Sequence, residues 1–322
     1  MAEFGVYIHA AAALGPCGDT TRTERRALTA DPPPFEYKEL VKRVVGVPLR
    51  QASHLVELAA IGSQLCLKRL ATPAPEDTAV YVGTGLGEVR KTNSLFYQVM
   101  PPGPGLASPF DFINAANNMA AFYAAKLGNF RARNLTVTQE EFSFEWALRL
   151  AVEDLKRGRF RQALVGGVDE HAPPRLNHMR RIALAPEQII GEGGGWLVLS
   201  RAADRAIGEI VAVEDLPPGR SPVELLNKRL AHWRQEHEPV VLLPGFRLPR
   251  DEAAALRAAF PGFALENYLD WCGCFHTAAA FGLAALLDEP PPAPRLYVHL
   301  NRRPAGHWML VAARSWPGPR SS

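Results

Sequence analysis

Apolar residues fall either into short runs, typical of buried strands, or into longer segments with three- and four-residue spacing, typical of helices. Strand-like runs are VYIHAAAAL at 6–14, TAVYVGTG at 78–85 and LTVT at 135–138. Helical spacing occurs at 49–70 and at 142–157. Strands that alternate with helices in this way predict a mainly parallel α/β sheet covered on both faces.

The same alternation occurs twice along the chain. The first half ends with the strand-like runs ALVGGVD and GWLVLSR, and the second half contains EIVAVED, PVVLLPG, RLYVHLN and HWMLVAARS. The predicted helix at 276–287 is nearly free of charge, and a helix that is apolar all round must be surrounded by other elements. We therefore predict a five-layer αβαβα arrangement of two similar halves, residues 1–205 and 206–322, that share a central helix pair.

Composition places the chain among soluble globular proteins. Of its 322 residues, 47% are hydrophobic and 21% are charged. No uncharged apolar run approaches the roughly 20 residues of a membrane-spanning helix. The N-terminal segment has an acidic residue, no basic region, and a histidine within its apolar run, which does not fit a secretory signal. The prediction is a cytoplasmic protein that does not bind membranes.

Cysteine and charge patterns give little support for metal or nucleic acid. The four cysteines include CGCFH at 272–276, but no second ligand pair follows at the spacing of a zinc finger. The net charge of +3 is mild, and the basic run KRGRFR at 156–161 follows an amphipathic helix, whose C-terminal end favours cations. We expect no metal and no nucleic-acid partner.

The glycine-rich run VGTGLG at 82–87 follows a strand, as a phosphate-binding loop does. A dinucleotide site also needs a helix that starts directly after the glycines and an acidic residue at the end of the next strand. Here SLFYQVMPPGPG at 94–105 intervenes. The mismatch argues against a nucleotide, and the sequence predicts no cofactor.

The stretch TVTQEEFSFEWAL at 136–148 places two carboxylates, Glu140 and Glu141, between a strand and an apolar helix. Burying an unpaired carboxylate is costly, so such a turn normally carries neutral residues unless the charge has a use. At a helix N-terminus an acidic side chain gains roughly 0.3–1 kcal/mol. The simplest interpretation is that one carboxylate caps the helix and the other is solvated; the alternatives are that a carboxylate here forms an ion pair with a partner or mimics the charge of a substrate carboxylate.

The order of these motifs resembles the β-ketoacyl synthase branch of the thiolase superfamily. VGTGLG, the SPF segment at 108–110 with its helix, WALRLAVEDLKRGRFRQALVGGVDE and GEGGGWLVLS occur in the family's order. In the second half, CFHTAAAFG resembles the family's GHT element, and LNRRPAGHWMLV stands where its C-terminal glycine-rich turn belongs. The resemblance covers nearly the whole chain and is strongest in the first half.

The family's active site is only partly retained. By the resemblance, the nucleophilic cysteine corresponds to Glu141, the first histidine to Pro244 and the lysine to Trp271, whereas the second histidine is kept as His276. The turn at 303–306 lacks the family's phenylalanine. This pattern resembles a chain length factor, a non-condensing paralogue, although those proteins typically carry glutamine at the cysteine position. The resemblance implies a heterodimer with an active ketosynthase, and an acyl carrier protein as a further partner.

Within that resemblance, the helix after the SPF segment lies at the dimer interface and lines the end of the acyl tunnel. The residues this implies for the tunnel or interface are Phe112, Ala116, Met119, Ala120, Tyr123 and Phe142. Ordinary core packing is the alternative for each of them.

Two other functions remain open at this stage. An independent thioester hydrolase, decarboxylase or acyltransferase could use Glu141 with His276, if the two lie within hydrogen-bond reach in an open pocket. His276 could instead be a structural histidine. A homodimeric protein that binds an acyl chain or acyl carrier protein needs a continuous apolar tunnel.

Overall fold

The computed structural model describes residues 5–19, 26–32, 37–50, 52–103, 105–219 and 221–317. The strands are β1 (Val6–Gly15), β2 (Gly18–Asp19), β3 (Ala79–Gly83), β4 (Asn134–Val137), β5 (Gln162–Asp169), β6 (Gly193–Ser200), β7 (Gly208–Leu216), β8 (Val240–Pro244), β9 (Ala264–Leu265), β10 (Arg295–Arg302) and β11 (Trp308–Ser315). The helices are α1 (Lys38–Leu40, continued by a π-helical turn Val41–Val45), α2 (His54–Lys68), α3 (Val89–Val99), α4 (Pro109–Asn114), α5 (Met119–Gly128), α6 (Ser143–Lys156, preceded by a 3-10 turn Glu140–Phe142), α7 (Arg175–Arg181), α8 (Pro222–Trp233), α9 (Arg250–Ala259), α10 (Leu269–Cys272) and α11 (Ala278–Leu287).

Serine residues begin three of these helices. The hydroxyl of Ser53 accepts a hydrogen bond from the Val56 amide at the start of α2, and Ser108 and Ser221 do the same at the starts of α4 and α8. A proline follows each of the last two serines, which suits the first helical position because the missing N–H has no partner there anyway.

The strands form one sheet in the order β4-β3-β5-β6-β1-β7-β11-β10-β8-β9, with β2 beside β1. Parallel pairing is confined to the two ends, where β3 pairs with β4 and β5, and β8 pairs with β9 and β10. The strands between them pair antiparallel. The prediction of a mainly parallel sheet is therefore wrong for the centre. One reason is that a link of only five residues, 303–307, joins β10 to β11, and so short a link permits only an antiparallel return.

The two halves of this continuous sheet form two β layers, and the helices lie outside and between them as predicted. Helices α2 and α5 cover one face of the first-half strands, and α8 and α9 cover the outer face of the second-half strands. Helices α6 and α11 lie between the two: α6 contacts β3, β4 and β5 on one side and β7 and β11 on the other, while α11 contacts β1, β5, β6 and β10. The thiolase-like five-layer αβαβα class with a shared central helix pair is confirmed. No helix in the described ranges is long and apolar enough to cross a membrane.

The central helix α11 packs directly on β6, with every one of its residues buried. A methyl group added at Gly195 would lie 1.9 Å from the backbone oxygen of Ala280, so the helix would have to move away from the sheet. We expect Gly195→Ala to lower the free energy of unfolding by about 1–3 kcal/mol, the usual cost of overpacking. Urea denaturation measures this.

A matched control is Gly262→Ala. A methyl group there meets no atom within 4 Å, so stability should stay within about 0.5 kcal/mol of the wild type. Equal stability of both variants and the wild type would contradict the close contact between α11 and β6.

Candidate functional site

The turn between β4 and α6 separates the two adjacent carboxylates. Glu140 adopts a left-handed backbone conformation, φ 49°, and its side chain is exposed, whereas Glu141 is 1% exposed. Ser143 braces the turn, because its hydroxyl accepts from the Gln139 amide and donates to the Glu140 carbonyl oxygen. Left-handed backbone at a residue with a side chain is strained, and such strain persists where the surroundings impose it. Glu140 is therefore the solvated acid, and Glu141 points into the protein without a helix-capping hydrogen bond.

We call the turn between β4 and α6, residues 138–142, the elbow. Arg303, in the turn between β10 and β11, covers it. Its Nη2 donates to the backbone oxygen of Gln139 at 2.6 Å and to the side-chain Oε1 of Gln139 at 3.0 Å. The guanidinium carbon lies 4.6 Å from the ring centre of Phe142, and Nε lies 3.9 Å from Oε1 of Glu141. The counter-charge for Glu141 thus comes from the second half of the same chain.

Behind Glu141 lies a buried polar network that the sequence reasoning missed. Nδ2 of Asn301 donates both to the backbone oxygen of Glu141 at 2.7 Å and to Oε1 of Glu145 at 2.8 Å. Oε1 of Glu145 also lies 3.8 Å from Nδ1 of His299, whose Nε2 is 2.9 Å from the hydroxyl of Tyr268. A signal existed: Glu141 and Glu145 are four apart on one helical face, and His299 and Asn301 are two apart on one strand face.

Burial sets the charge states of this network. It raises the pKa of Glu145 to about 8, and the Asn301 hydrogen bond offsets this only in part. Burial also lowers the pKa of His299 to about 3. At neutral pH we therefore expect Glu145 to carry a proton and His299 to be neutral.

His276, the retained histidine, lies between the glycine-rich run and the loop that follows β8. It is 4% exposed, its ring stacks on Phe246 with ring centres 6.2 Å apart, and a methyl group at Gly85 would lie 2.1 Å from its Nδ1. Burial lowers its pKa, although Asp169 and Glu141 act in the opposite direction. Its Nδ1 and Oε1 of Glu141 are both buried without a hydrogen-bond partner among the described residues. No hydrogen bond joins His276 to Glu141 among the described residues, and their use as an acid–base pair stays a prediction.

The glycine-rich run is held by a carboxylate of the chain itself. Asp169 accepts hydrogen bonds from the hydroxyl of Thr84, from the amides of Gly85 and Leu86, and from both the amide and the hydroxyl of Thr277. The amides of Gly85 and Leu86, which would face a phosphate, thus already donate to Asp169. The expectation that no helix starts directly after the glycines is wrong, however. Helix α3 starts two residues after Gly87, although its sequence resembles a loop.

The other replaced positions offer no acid or base. Pro244 is the buried last residue of β8, and Trp271 lies half-buried in α10. Burial raises the pKa of Cys272 well above its usual value and that of Cys274 to about 12, so neither is a thiolate at neutral pH. Within the described ranges, no cluster of histidine, cysteine and acidic residues is arranged to hold a metal ion.

The residues predicted for a tunnel or interface lie in different environments. Phe112 and Ala116 are exposed, Met119 and Tyr123 are half-buried, and Ala120 and Phe142 are in the core. Phe142 is the ring beneath Arg303. Their role in an acyl tunnel stays a prediction.

Two cavities lie away from the elbow. One of about 410 Å³ is lined by residues that include Tyr37, His54, Arg90 and Glu192. Another of about 1250 Å³ lies on the side of the molecule that carries His9, where Arg69 and Asp288 form an ion pair. Neither lining includes Glu141 or His276.

Comparisons agree with this architecture. Residues 49–182 match the family described as β-ketoacyl synthase, N-terminal domain. Among curated proteins, none matches the chain. The ishigamide ketosynthase/chain length factor has a similar structure, with 19% identity and a TM-score of 0.77 over 98% of this chain and 100% of that one.

Two further solved structures are similar. A type II PKS acyl-carrier protein in complex with its ketosynthase, AntDE:AntF, gives 16% identity and a TM-score of 0.75 over 97% of this chain and 99% of that one. The PfaC keto synthase–chain length factor gives 13% identity and a TM-score of 0.74 over 99% of this chain and 43% of that one. The chain therefore has a ketosynthase-like fold, and its residues 49–182 are similar to the N-terminal domain of β-ketoacyl synthases.

Proposed function

We propose that the chain is a catalytically degenerate ketosynthase-like subunit, a chain length factor, that pairs with an active ketosynthase and shapes its acyl tunnel. The observation that carries the proposal is the buried carboxylate of Glu141 at the elbow, covered by Arg303. Acyl transfer from a thioester needs a thiolate or another strong nucleophile at such a turn, and a carboxylate is a poor substitute. The pathway class is type II polyketide, aryl-polyene or fatty-acid-like biosynthesis.

The geometry gives the hydrolase, decarboxylase or acyltransferase alternative no support. A general acid–base pair must come within hydrogen-bond reach of a reacting group in an accessible pocket. Glu141 is 1% exposed beneath Arg303, and no hydrogen bond links it to His276 in the described part of the chain. Both groups serve packing and local charge balance rather than a reaction.

The molecular surface supports a protein partner. Large apolar side chains are exposed on α3, on α4 and on the segment between them, and exposed apolar surface of this kind is typical of interaction sites. In addition, β4 is an edge strand whose only described neighbour is β3. The similar structures include a ketosynthase/chain length factor and a ketosynthase with an acyl-carrier protein, which supports both proposed partners.

Intact-protein mass spectrometry with malonyl- and acyl-carrier protein tests this function. The chain alone should show no acyl adduct and no turnover, because its elbow has no thiol. Together with the cysteine-containing ketosynthase encoded nearest to it, the chain should form a one-to-one complex that makes products of defined length. Glu141→Ala should leave those products unchanged, and loss of the partner's cysteine should abolish them.

Two results would contradict the proposed function. Turnover by this chain alone, abolished by Glu141→Ala, would make the carboxylate catalytic and overturn the proposal. Binding of an acyl chain or acyl carrier protein by a homodimer of this chain, with no ketosynthase complex, would favour the binding-protein alternative instead.

A further inference from the structure

The larger of the two cavities, of about 1250 Å³, lies beside β1 at the junction of the two halves. Strand β1 pairs with β7 only through its first three residues, because β7 begins at Gly208. The next three residues of β1, His9, Ala10 and Ala11, have no partner in β7 and line the cavity. The ends of α2 and α11, the segment between β6 and β7 and the segment after β11 form the other sides. We call this space the basal cavity.

The walls of the basal cavity are mainly apolar. Large side chains come from Leu70, Ile207, Leu287 and Trp316, and five alanines line it as well. Apolar and aromatic walls with a few polar groups are typical of a small-molecule site. The volume exceeds the roughly 300–1,000 Å³ of ordinary ligand pockets, so a ligand of the usual size has room here.

Hydrogen bonds within the protein hold these walls in place. Nη1 of Arg69 donates to the backbone oxygen of Ala11 at 2.8 Å. The amide of Ile207 donates to the backbone oxygen of Ile8 at 2.7 Å, and the amide of Trp316 donates to that of Ile207 at 2.9 Å. A site that is formed before its ligand arrives loses little conformational entropy on binding, which favours affinity.

The charges around the basal cavity balance each other. Among the described residues that line it, Nη2 of Arg69 lies 3.0 Å from Oδ2 of Asp288, and Nε of Arg205 lies 3.7 Å from Oδ2 of Asp204. Burial lowers the pKa of His9, so its imidazole is neutral at neutral pH. A charged ligand would lose its hydration here without gaining a counter-charge, whereas an uncharged ligand would not.

We propose that the basal cavity binds an uncharged, largely apolar small molecule, and that Trp316 is the aromatic wall against which this ligand packs. The indole is half-buried, and its ring centre lies 6.0 Å from that of Tyr7. The site is separate from the elbow, since neither Glu141 nor His276 lines it. The inference therefore does not depend on whether the chain pairs with a ketosynthase.

Fluorescence titration with N-phenyl-naphthylamine, an uncharged molecule that emits strongly in apolar surroundings, tests the site. Binding should quench the tryptophan emission of the wild type by energy transfer, and Trp316→Phe should bind with less quenching, because it keeps a ring but loses the donor. Trp316→Ala should weaken binding by at least about tenfold, and Ala206→Trp, which fills part of the cavity, should do the same. Both side chains are only partly buried, so the variants should fold, which circular dichroism checks.

The controls separate this site from other apolar surface. Ala258→Trp places the same side chain at an exposed position of α9 that does not line the cavity, and Phe112→Asp changes the apolar surface exposed on α3 and α4. Both should bind within about twofold of the wild type, as expected for side chains outside a binding site. Anilinonaphthalene sulfonate, the same ring system with a negative charge, should bind the wild type at least about tenfold more weakly.

Three results would overturn the proposal. The first is that the wild type does not bind the uncharged molecule, or that Trp316→Ala and Ala206→Trp bind it as tightly as the wild type does. The second is a loss of binding in Phe112→Asp, which would place the molecule on α3 and α4 instead. The third is equally tight binding of the sulfonate, which would contradict an uncharged ligand. Complex formation with the ketosynthase is measured separately, so failure of this site leaves the proposed function intact, and the reverse holds as well.

Discussion

Replacing Asp169 by alanine is expected to lower the free energy of unfolding by at least about 3 kcal/mol, because hydrogen bonds to a charged group contribute about 1.5–3 kcal/mol each and are not fully additive. The carboxylate is 2% exposed and accepts five hydrogen bonds from the glycine-rich run and from Thr277. Its removal leaves buried amides and hydroxyls without a partner, at the point where the first half meets the start of α11.

Guanidinium denaturation followed by tryptophan fluorescence measures the effect. Asp169→Asn retains one acceptor oxygen and should lose roughly half as much, since most of the bonds then lack a charged acceptor. Asp204→Ala, at an exposed site, should stay within about 0.5 kcal/mol of the wild type. A stable Asp169→Ala protein would show that the glycine-rich run does not depend on this carboxylate.

The second large effect is a dependence of stability on pH that Glu145→Gln reduces. The pKa of Glu145 is about 8 in the folded protein, against an ordinary value of 4.5, because the residue is buried. The folded state therefore holds a proton that the unfolded chain releases, and stability falls as pH rises through this window. One proton corresponds to about 1.4 kcal/mol per pH unit. The glutamine variant lacks this slope and should be more stable than the wild type at pH 8 by a few kcal/mol.

The buried histidines act in the opposite direction at lower pH. Burial lowers the pKa of His178 and of His299 to about 3, so their contribution is present above pH 6.5 and is lost as pH falls towards 3. The informative range is therefore pH 7–8, where these histidines are already neutral. Glu88, whose pKa burial also raises to about 8, adds to the decline in both proteins.

The control for this effect is Glu153→Gln. Glu153 lies on the same helix, but its side chain is 48% exposed, so its replacement should leave the slope between pH 7 and pH 8 unchanged. Unfolding free energies from denaturant titrations at half-unit steps measure the slopes. Equal slopes for Glu145→Gln and the wild type would mean that Glu145 is ionised in the folded protein.

Sequence periodicity predicted the layers most directly at α11, one of the two central helices. The segment that became α11 contains no charge and could only be a surrounded helix. Helix α3 was not predicted, because its apolar residues are not part of the core. Phe96, Tyr97 and Val99 face solvent, so their spacing does not report a core, and the prolines that follow make the segment resemble a loop.

The candidate site was predictable only where its parts are close in sequence. A strand end followed by a helical pattern placed Glu141 in the turn between β4 and α6, but nothing in the sequence predicted its burial. Arg303 and Asn301 are about 160 positions away, and their contacts depend on the position of β10 beside α6, which no local pattern encodes. Glu145 went unnoticed because an acidic residue on an amphipathic helix normally faces water.

The position of α11 also has a consequence for the order of synthesis. This helix covers β1, β5 and β6 of the first half, yet the ribosome makes it after β7, β8 and β9. In the nascent first half, α6 covers β3, β4 and β5 on this face, but β1 and β6 stay largely uncovered, and the core cannot be completed until residue 287 has left the exit tunnel. We therefore expect that the two halves do not fold as independent units. Truncation after β6 should give an aggregation-prone fragment that depends on chaperones.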